Sequence, residues 1–161
     1  MVDLALPRQL HALGQRAVGE ALGRRAGTVE AEHVLLAILA QASAPATTLL
    51  ASSGLDYTTL EAALDAERKR SLGVAGIVPQ SSASLASVPR TKDPGWGASI
   101  RDVLRGADKP SAKDGRPGAL EIELAIAILR AELGTVPRAL AIAAINPTAT
   151  LDALAPPAPS G

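Results

Sequence analysis

The chain has 161 residues, of which 47% are hydrophobic and 20% charged, so it holds enough apolar material for a compact fold and is not a disordered protein. Its sixteen basic residues balance sixteen acidic ones, so overall charge does not direct the chain to nucleic acid or to an anionic membrane. The absence of cysteine excludes disulfides, thiolate nucleophiles and thiolate metal sites.

Apolar residues recur at three- and four-residue spacing in the first half of the chain and predict four helices joined by short turns. The first helix has Pro7 in its first turn and ends at Gly23. Its predicted apolar stripe consists of Leu10, Leu13, Ala17, Ala21 and Leu22. The central helix is predicted over residues 28–41, with Thr28 as its cap and acidic residues in its first turn. A short helix over residues 46–52 follows, and then a helix that Asp56 can cap. Glu67 is assigned to the charged face of this last helix, and Leu60, Ala63 and Leu64 to its apolar stripe.

The second half repeats the first at an offset of 90 positions, which pairs Leu39 with Leu129 and Leu50 with Leu140 without a gap. Residues 73–95 are rich in Gly, Ser and Pro and predict a linker. The predicted domains are therefore a first repeat at 1–72, the linker, a more degenerate second repeat at 96–155 and a flexible tail at 156–161.

The run Glu32-His33-Val34-Leu35-Leu36-Ala37-Ile38-Leu39 resembles the signature of the amino-terminal repeat domain of Clp unfoldases, the ATP-driven partners of the Clp protease. The resemblance implies an all-α fold of two pseudo-symmetric four-helix repeats that share one core. It also implies a domain that captures substrates, adaptor proteins or, in some lineages, phosphorylated arginine. The sequence has no Gly-x-x-x-x-Gly-Lys-Ser/Thr phosphate loop, so we expect a stand-alone form without ATPase modules and without a cofactor.

The chain departs from the family pattern at positions that concern the ligand. The family opens each repeat with Phe-Thr, where this chain has Leu6-Pro7 and Trp96-Gly97. The Thr that precedes Glu-His in the family is Ala31, and Glu-His itself becomes Ile122-Glu123 in the second repeat. Because these changes remove hydroxyls and a carboxylate, they argue against phosphoarginine capture. The argument is weaker for the first repeat than for the second.

We expect a peptide-binding groove between the start of the first helix and the acidic start of the central helix in each repeat. Helix starts offer unpaired amide donors, and the nearby carboxylates would attract a basic side chain, although Glu32 could equally do no more than complement the helix dipole. The first repeat is expected to bind more tightly because it keeps the signature. The predicted site residues are Leu6, Arg8, Glu30, Glu32, Glu121 and Glu123.

Three other residues invite a functional interpretation that the sequence does not favour. His33 is predicted to be a half-buried structural histidine rather than a general base, because it stands beside buried leucines. Glu30 and His33 have a spacing found in metal-binding bundles, but further ligands are lacking, so no metal is expected. Trp96 is predicted to anchor the linker on the core rather than to offer an exposed contact.

Basic clusters at residues 24–25 and 68–70 lie near predicted helix ends without aromatic neighbours, so nucleic-acid binding is not expected. No serine belongs to a recognisable catalytic triad, so catalysis is not expected either.

The sequence thus predicts a non-enzymatic protein- or peptide-binding module of the Clp system, acting as adaptor, regulator or decoy. Its expected partners are Clp ATPase, Clp protease or Clp substrates. The alternative is a structural or small-molecule-sequestering protein no longer tied to proteolysis. With no signal peptide or long apolar span, a cytoplasmic location without membrane contact is expected.

Overall fold

The computed structural model describes residues 5–74, 76, 94–106 and 118–155, with the side chains of residues 5–7 and 106 excepted. These residues form eight helices and two strands of two residues each. The elements are α1 (Ala5–Gly23), β1 (Thr28–Val29), α2 (Ala31–Leu39), α3 (Pro45–Ser52), α4 (Tyr57–Val74), β2 (Gly95–Trp96), α5 (Ala98–Gly106), α6 (Ala119–Leu129), α7 (Thr135–Ile142) and α8 (Pro147–Leu154).

The helices confirm an all-α fold built from two similar four-helix units. Helix α7 begins and ends 90 positions after α3, and α8 begins 90 positions after α4. The central helices α2 and α6 also end in register, at Leu39 and Leu129. Most of the predicted linker and the whole predicted tail lie outside the described residues, so the domain boundaries stay predictions.

The turn after the third helix of each unit repeats the same backbone hydrogen bond. Leu55 N–H donates to the carbonyl of Leu50 at 3.0 Å, and Ile145 N–H donates to the carbonyl of Leu140 at 3.0 Å. Both turns pass through a left-handed residue, which is Gly54 with φ 91° in the first unit and Ala144 with φ 57° in the second. The left-handed conformation costs an alanine about 1 kcal/mol. Because Ala144 adopts it nevertheless, the contacts of the surrounding unit must fix the conformation of this turn.

Both units contribute to one hydrophobic core. Ile38 and Ile128, from the two central helices, are each almost completely buried and belong to the same cluster. Helix α2 contacts α6, α3 contacts α8, and α4 packs along α7, so each pair joins the first unit to the second. The predicted shared core is therefore confirmed.

The central helix of the first unit starts later than predicted. Thr28 and Val29 are extended and pair in parallel with Gly95 and Trp96, so the helix begins at Ala31 and Thr28 does not cap it. Val29 is fully buried at this point, and its carbonyl accepts a hydrogen bond of 2.8 Å from Gly97 N–H. Burial of Val29 and pairing with the second unit thus compete successfully with one more turn of helix.

Two predictions about apolar side chains were wrong. Trp96 is 45% exposed, and its ring lies on α1, where a Cβ added to Gly14 would stand 3.3 Å from Cζ2 of the indole. Trp96 therefore covers a helix surface instead of anchoring the core, because a residue without a side chain lets the ring approach the backbone. In α1 itself Leu10 and Leu22 are exposed, so the buried stripe is narrower than predicted.

Candidate functional site

A cleft of about 390 Å³ opens where the two units meet. It lies between the end of α1, the start of α2, the last turns of α4 and the first turn of α7. We call it the inter-repeat cleft. Its charged lining residues are Arg24, Arg25, Glu30, Glu32, Glu67, Arg68 and Arg138.

The carboxylate of Glu30 ties the two units together at one edge of the cleft. Its Oε2 accepts hydrogen bonds from Ser99 N–H at 3.0 Å and from Ser99 Oγ, while its Oε1 accepts one of 3.0 Å from Thr28 Oγ1. Ser99 Oγ in turn accepts a hydrogen bond of 3.0 Å from Ala31 N–H. Burial alone would raise the pKa of Glu30, but the hydrogen bonds from Ser99 and Thr28 outweigh it, and the pKa lies below its ordinary value.

Gly97 is what allows Glu30 to reach the start of α5. A Cβ at position 97 would overlap the carboxylate of Glu30, so a residue with a side chain cannot occupy this position unless Glu30 moves away. Gly97 stands at the Thr position of the Phe-Thr pair that is expected to open the second repeat. The departure therefore has a structural reason, which is the close approach of a carboxylate from the first unit.

His33 stabilises the start of α2. Its Nδ1 accepts a hydrogen bond of 2.8 Å from Glu30 N–H, the backbone donor that helix geometry leaves unpaired. His33 is 3% exposed, and burial, with a smaller contribution from Arg24, lowers the pKa of its ring to about 4. His33 is thus neutral at pH 7 with its proton on Nε2, and it is buried more deeply than the sequence indicated.

Glu32 lines the cleft and is only partly exposed. Burial raises the pKa of its carboxyl group, and the nearby carboxylates of Glu30 and Glu67 act in the same direction, while a backbone hydrogen bond and Arg24 oppose the shift. A carboxylate in such surroundings gains from a cation placed against it. Glu32 is therefore the predicted site residue that the structure leaves best suited to meet a basic side chain.

Glu67 is a cleft residue that the sequence assigned to the charged outer face of α4. It is buried, and its Oε1 accepts hydrogen bonds from Arg138 Nε at 2.8 Å and from Ser71 Oγ at 2.6 Å. Burial would raise the pKa of Glu67, but these two partners outweigh it and lower the pKa. The signal was present in the spacing, because Glu67 continues the helical stripe of Leu60, Ala63 and Leu64.

Of the other predicted site residues, the three whose side chains are described do not join Glu30 and Glu32. Arg8 is exposed on α1 and does not line the inter-repeat cleft. Leu6 lies in α1, but its side chain is outside the described part of the chain. Glu121 and Glu123 lie near the start of α6, partly buried and away from this cleft. Of the five predicted residues whose side chains are described, the structure thus places two, Glu30 and Glu32, in this cleft.

Four arginines that were not among the predicted site residues line the inter-repeat cleft. The sequence treats the basic residues at 24–25 and 68–70 as cations at helix ends, but Arg24, Arg25 and Arg68 line one cleft with Arg138 of the second unit. Arg24 also forms an ion pair of 2.7 Å with Asp65 across the end of α1 and α4. The cleft is therefore a charged surface of both signs, suited to binding a polar chain segment.

Among residues 5–74, 76, 94–106 and 118–155, no three His, Asp or Glu side chains come together in a group that could hold a metal ion. Within those same ranges no helix is both long enough and apolar enough to span a lipid bilayer.

The first unit matches a known protein family. A family model described as the Clp repeat (R) N-terminal domain matches residues 8–93, which is more than half of the chain and includes all of α2, α3 and α4. The match confirms the resemblance of the Glu32–Leu39 run, and the register of the second unit extends the repeat beyond it. No curated protein matches the sequence of this chain.

Proposed function

Because the chain belongs to the Clp amino-terminal repeat family, we propose that it binds protein segments that enter or regulate Clp-dependent proteolysis. The family is one of non-catalytic domains, so the proposal is a binding role as adaptor, regulator or decoy, without chemistry of its own. The proposed partners are Clp ATPase, the Clp protease or Clp substrates. The proposal includes a cytoplasmic location.

The inter-repeat cleft supports this role at the level of residues. It is open to solvent, it lies between the two units, and its walls carry side chains that can form charge-assisted hydrogen bonds. Glu32 is the residue we assign to a basic side chain of the bound segment, since Glu30 is already held by Ser99 and Thr28. Individual ion pairs in an open cleft are weak, so we expect modest affinity for a single segment.

A capture experiment from a native extract tests the proposal. The tagged full chain is used as bait, next to the Glu32→Gln variant and a Glu61→Gln variant as a matched control. Glu61 is an exposed carboxylate on α4 that does not line the cleft. We expect wild type and Glu61→Gln to retain the same Clp components or client proteins, and Glu32→Gln to retain less of them.

The same experiment separates the alternative, a structural or small-molecule-sequestering protein outside proteolysis. Recovery of stable partners unrelated to Clp, held equally by wild type and Glu32→Gln, would support that alternative and contradict the proposed function. Recovery of Clp partners by all three chains alike would keep the link to Clp but remove Glu32 from the site.

A further inference from the structure

The arginines of the inter-repeat cleft indicate a feature of the ligand beyond the basic side chain that the proposed function assigns to Glu32. Arg24 and Arg25 follow α1, Arg68 comes from α4, and Arg138 comes from α7, so separate parts of the chain place guanidinium groups on one cleft of about 390 Å³. Planar guanidinium groups are the side chains best suited to bind carboxylates, through paired hydrogen bonds. An arrangement assembled from both units is specific to the folded molecule.

Two of the three carboxylates that line the cleft are already held by partners inside the protein. Glu30 accepts hydrogen bonds from Ser99 and Thr28, and Glu67 accepts them from Ser71 and Arg138. Glu32 remains as the one lining carboxylate with a raised pKa and a partly exposed side chain. Arg24 is itself paired with Asp65 and Arg138 with Glu67, so Arg68 and the remaining donors of Arg138 face a cleft in which Glu32 is the lining carboxylate left for a ligand.

Arg138 and Arg68 keep donors for an incoming group. Arg138 gives its Nε to Glu67, but a guanidinium has about five N–H donors, and this side chain is 59% exposed. Arg68 is exposed and forms no ion pair with any residue in the described ranges. Carboxylates that approach the cleft can thus be bound without breaking the Arg138–Glu67 ion pair.

We propose that the inter-repeat cleft selects protein segments in which a basic side chain is flanked by acidic ones. Glu32 receives the basic side chain, and Arg68 and Arg138 receive the flanking carboxylates. This inference rests on the proposed function, since it names the chemistry of the segment that the same cleft binds. It also gives the cleft arginines a role in selecting the segment. They would repel a uniformly basic segment, because like charges would then face each other.

The test uses three short fluorescent peptides that differ only beside a single central arginine, with flanking glutamates, flanking glutamines or flanking lysines. Binding to the full chain is followed by fluorescence anisotropy at low and at physiological salt. We expect the glutamate peptide to bind about fivefold more tightly than the glutamine peptide, the lysine peptide to bind least, and the preference to shrink with added salt.

Two charge-reversal variants on α4 supply the decisive comparison. Arg68→Glu alters the cleft, whereas Lys69→Glu makes the same change at the next exposed residue, which does not line it. We expect Arg68→Glu to weaken the glutamate peptide about tenfold and to leave the glutamine peptide within about twofold, while Lys69→Glu keeps the preference for glutamate. Thermal melts of both variants check that each is folded.

The outcomes separate this inference from the proposed function. Equal affinity for the glutamate and glutamine peptides, both weakened by Glu32→Gln, would overturn the selection of acidic flanks and leave the binding function intact. Equal effects of Arg68→Glu and Lys69→Glu would also overturn it, since the preference would then come from general charge. Absence of binding by all three peptides would count against both proposals.

Discussion

Glu30 of the first unit and Ser99 of the second share two hydrogen bonds, one from the backbone N–H of Ser99 at 3.0 Å and one from its hydroxyl. The same hydroxyl accepts a hydrogen bond from Ala31 N–H, at the first residue of α2. A single serine thus joins the start of one central helix to the start of α5. This contact positions one wall of the inter-repeat cleft.

The contact between Glu30 and Ser99 should stabilise the whole fold. Ser99→Ala removes the hydroxyl that both donates to Glu30 and accepts from Ala31, so we expect the free energy of unfolding to fall by about 1–3 kcal/mol. Ser43→Ala, in an exposed turn, is the matched control and should change it by under about 0.5 kcal/mol. Chemical denaturation measures both, and equal effects of the two variants would mean that the contact adds no stability.

Replacement of Gly97 should be costly because of Glu30. In Gly97→Ala the added methyl group pushes the flexible Glu30 carboxylate away from Ser99, so we expect the free energy of unfolding to fall by about 1–2 kcal/mol through the lost hydrogen bonds. Gly19→Ala is a suitable control, since its Cβ would meet open space on α1, and it should stabilise the fold by about 0.5–1 kcal/mol.

A double-mutant cycle identifies Glu30 as the cause of the Gly97 effect. When Glu30→Ala is already present, Gly97→Ala should cost clearly less than it does in the wild-type chain. Strict additivity of the two substitutions would show that the added methyl group is resisted by something other than the carboxylate of Glu30.

The equivalent turns at Gly54 and Ala144 predict substitutions of opposite sign. Ala144→Gly relieves a left-handed alanine with φ 57° and should raise the free energy of unfolding by up to about 1 kcal/mol. Gly54→Ala imposes the same strain at φ 91° and should lower it by about 1–2 kcal/mol. Thermal melts of both variants measure the effects. A loss of stability in Ala144→Gly would contradict the equivalence of the turns.

Acid should weaken the fold through His33. The folded pKa of about 4 lies below the ordinary value of 6.5, so the neutral ring contributes stability that is fully present above pH 6.5 and is lost as the pH falls toward 4. The full loss corresponds to about 3 kcal/mol. The variant His33→Gln, which keeps an acceptor for Glu30 N–H, should lose less stability than wild type between pH 7 and pH 5. Parallel pH profiles of the two chains would contradict a depressed pKa.

The sequence predicted the repeat well because the repeat is encoded locally. Leu50 and Leu140 occupy equivalent positions of an apolar pattern, and such periodicity directly reports which helix face is buried. The sequence did not predict that α2 begins only at Ala31, because Val29 pairs with Trp96, which is far away in the chain. Local propensities do not indicate such a contact. Long-range pairing of this kind depends on how the two units are placed.

The same distinction explains what was found of the candidate site. Glu32 was identified because it belongs to a local signature, and the structure does place it in a cleft. Arg138 was overlooked because it enters the cleft from the second unit, far from Arg24 and Arg68 in sequence. Glu30 lies in the same cleft as Glu32, but its hydrogen bonds to Ser99 could not be foreseen from spacing within one repeat.

The most direct test of the account is where a protein segment binds. Backbone amide resonances of the full chain are followed while an arginine-containing client peptide is added, for wild type and for Glu32→Gln. We predict shifts at residues of the inter-repeat cleft from both units, including Glu32, Arg68 and Thr135, and weaker binding by the variant. Shifts confined to other surfaces, with unchanged affinity in Glu32→Gln, would contradict the proposal that this cleft is the binding site.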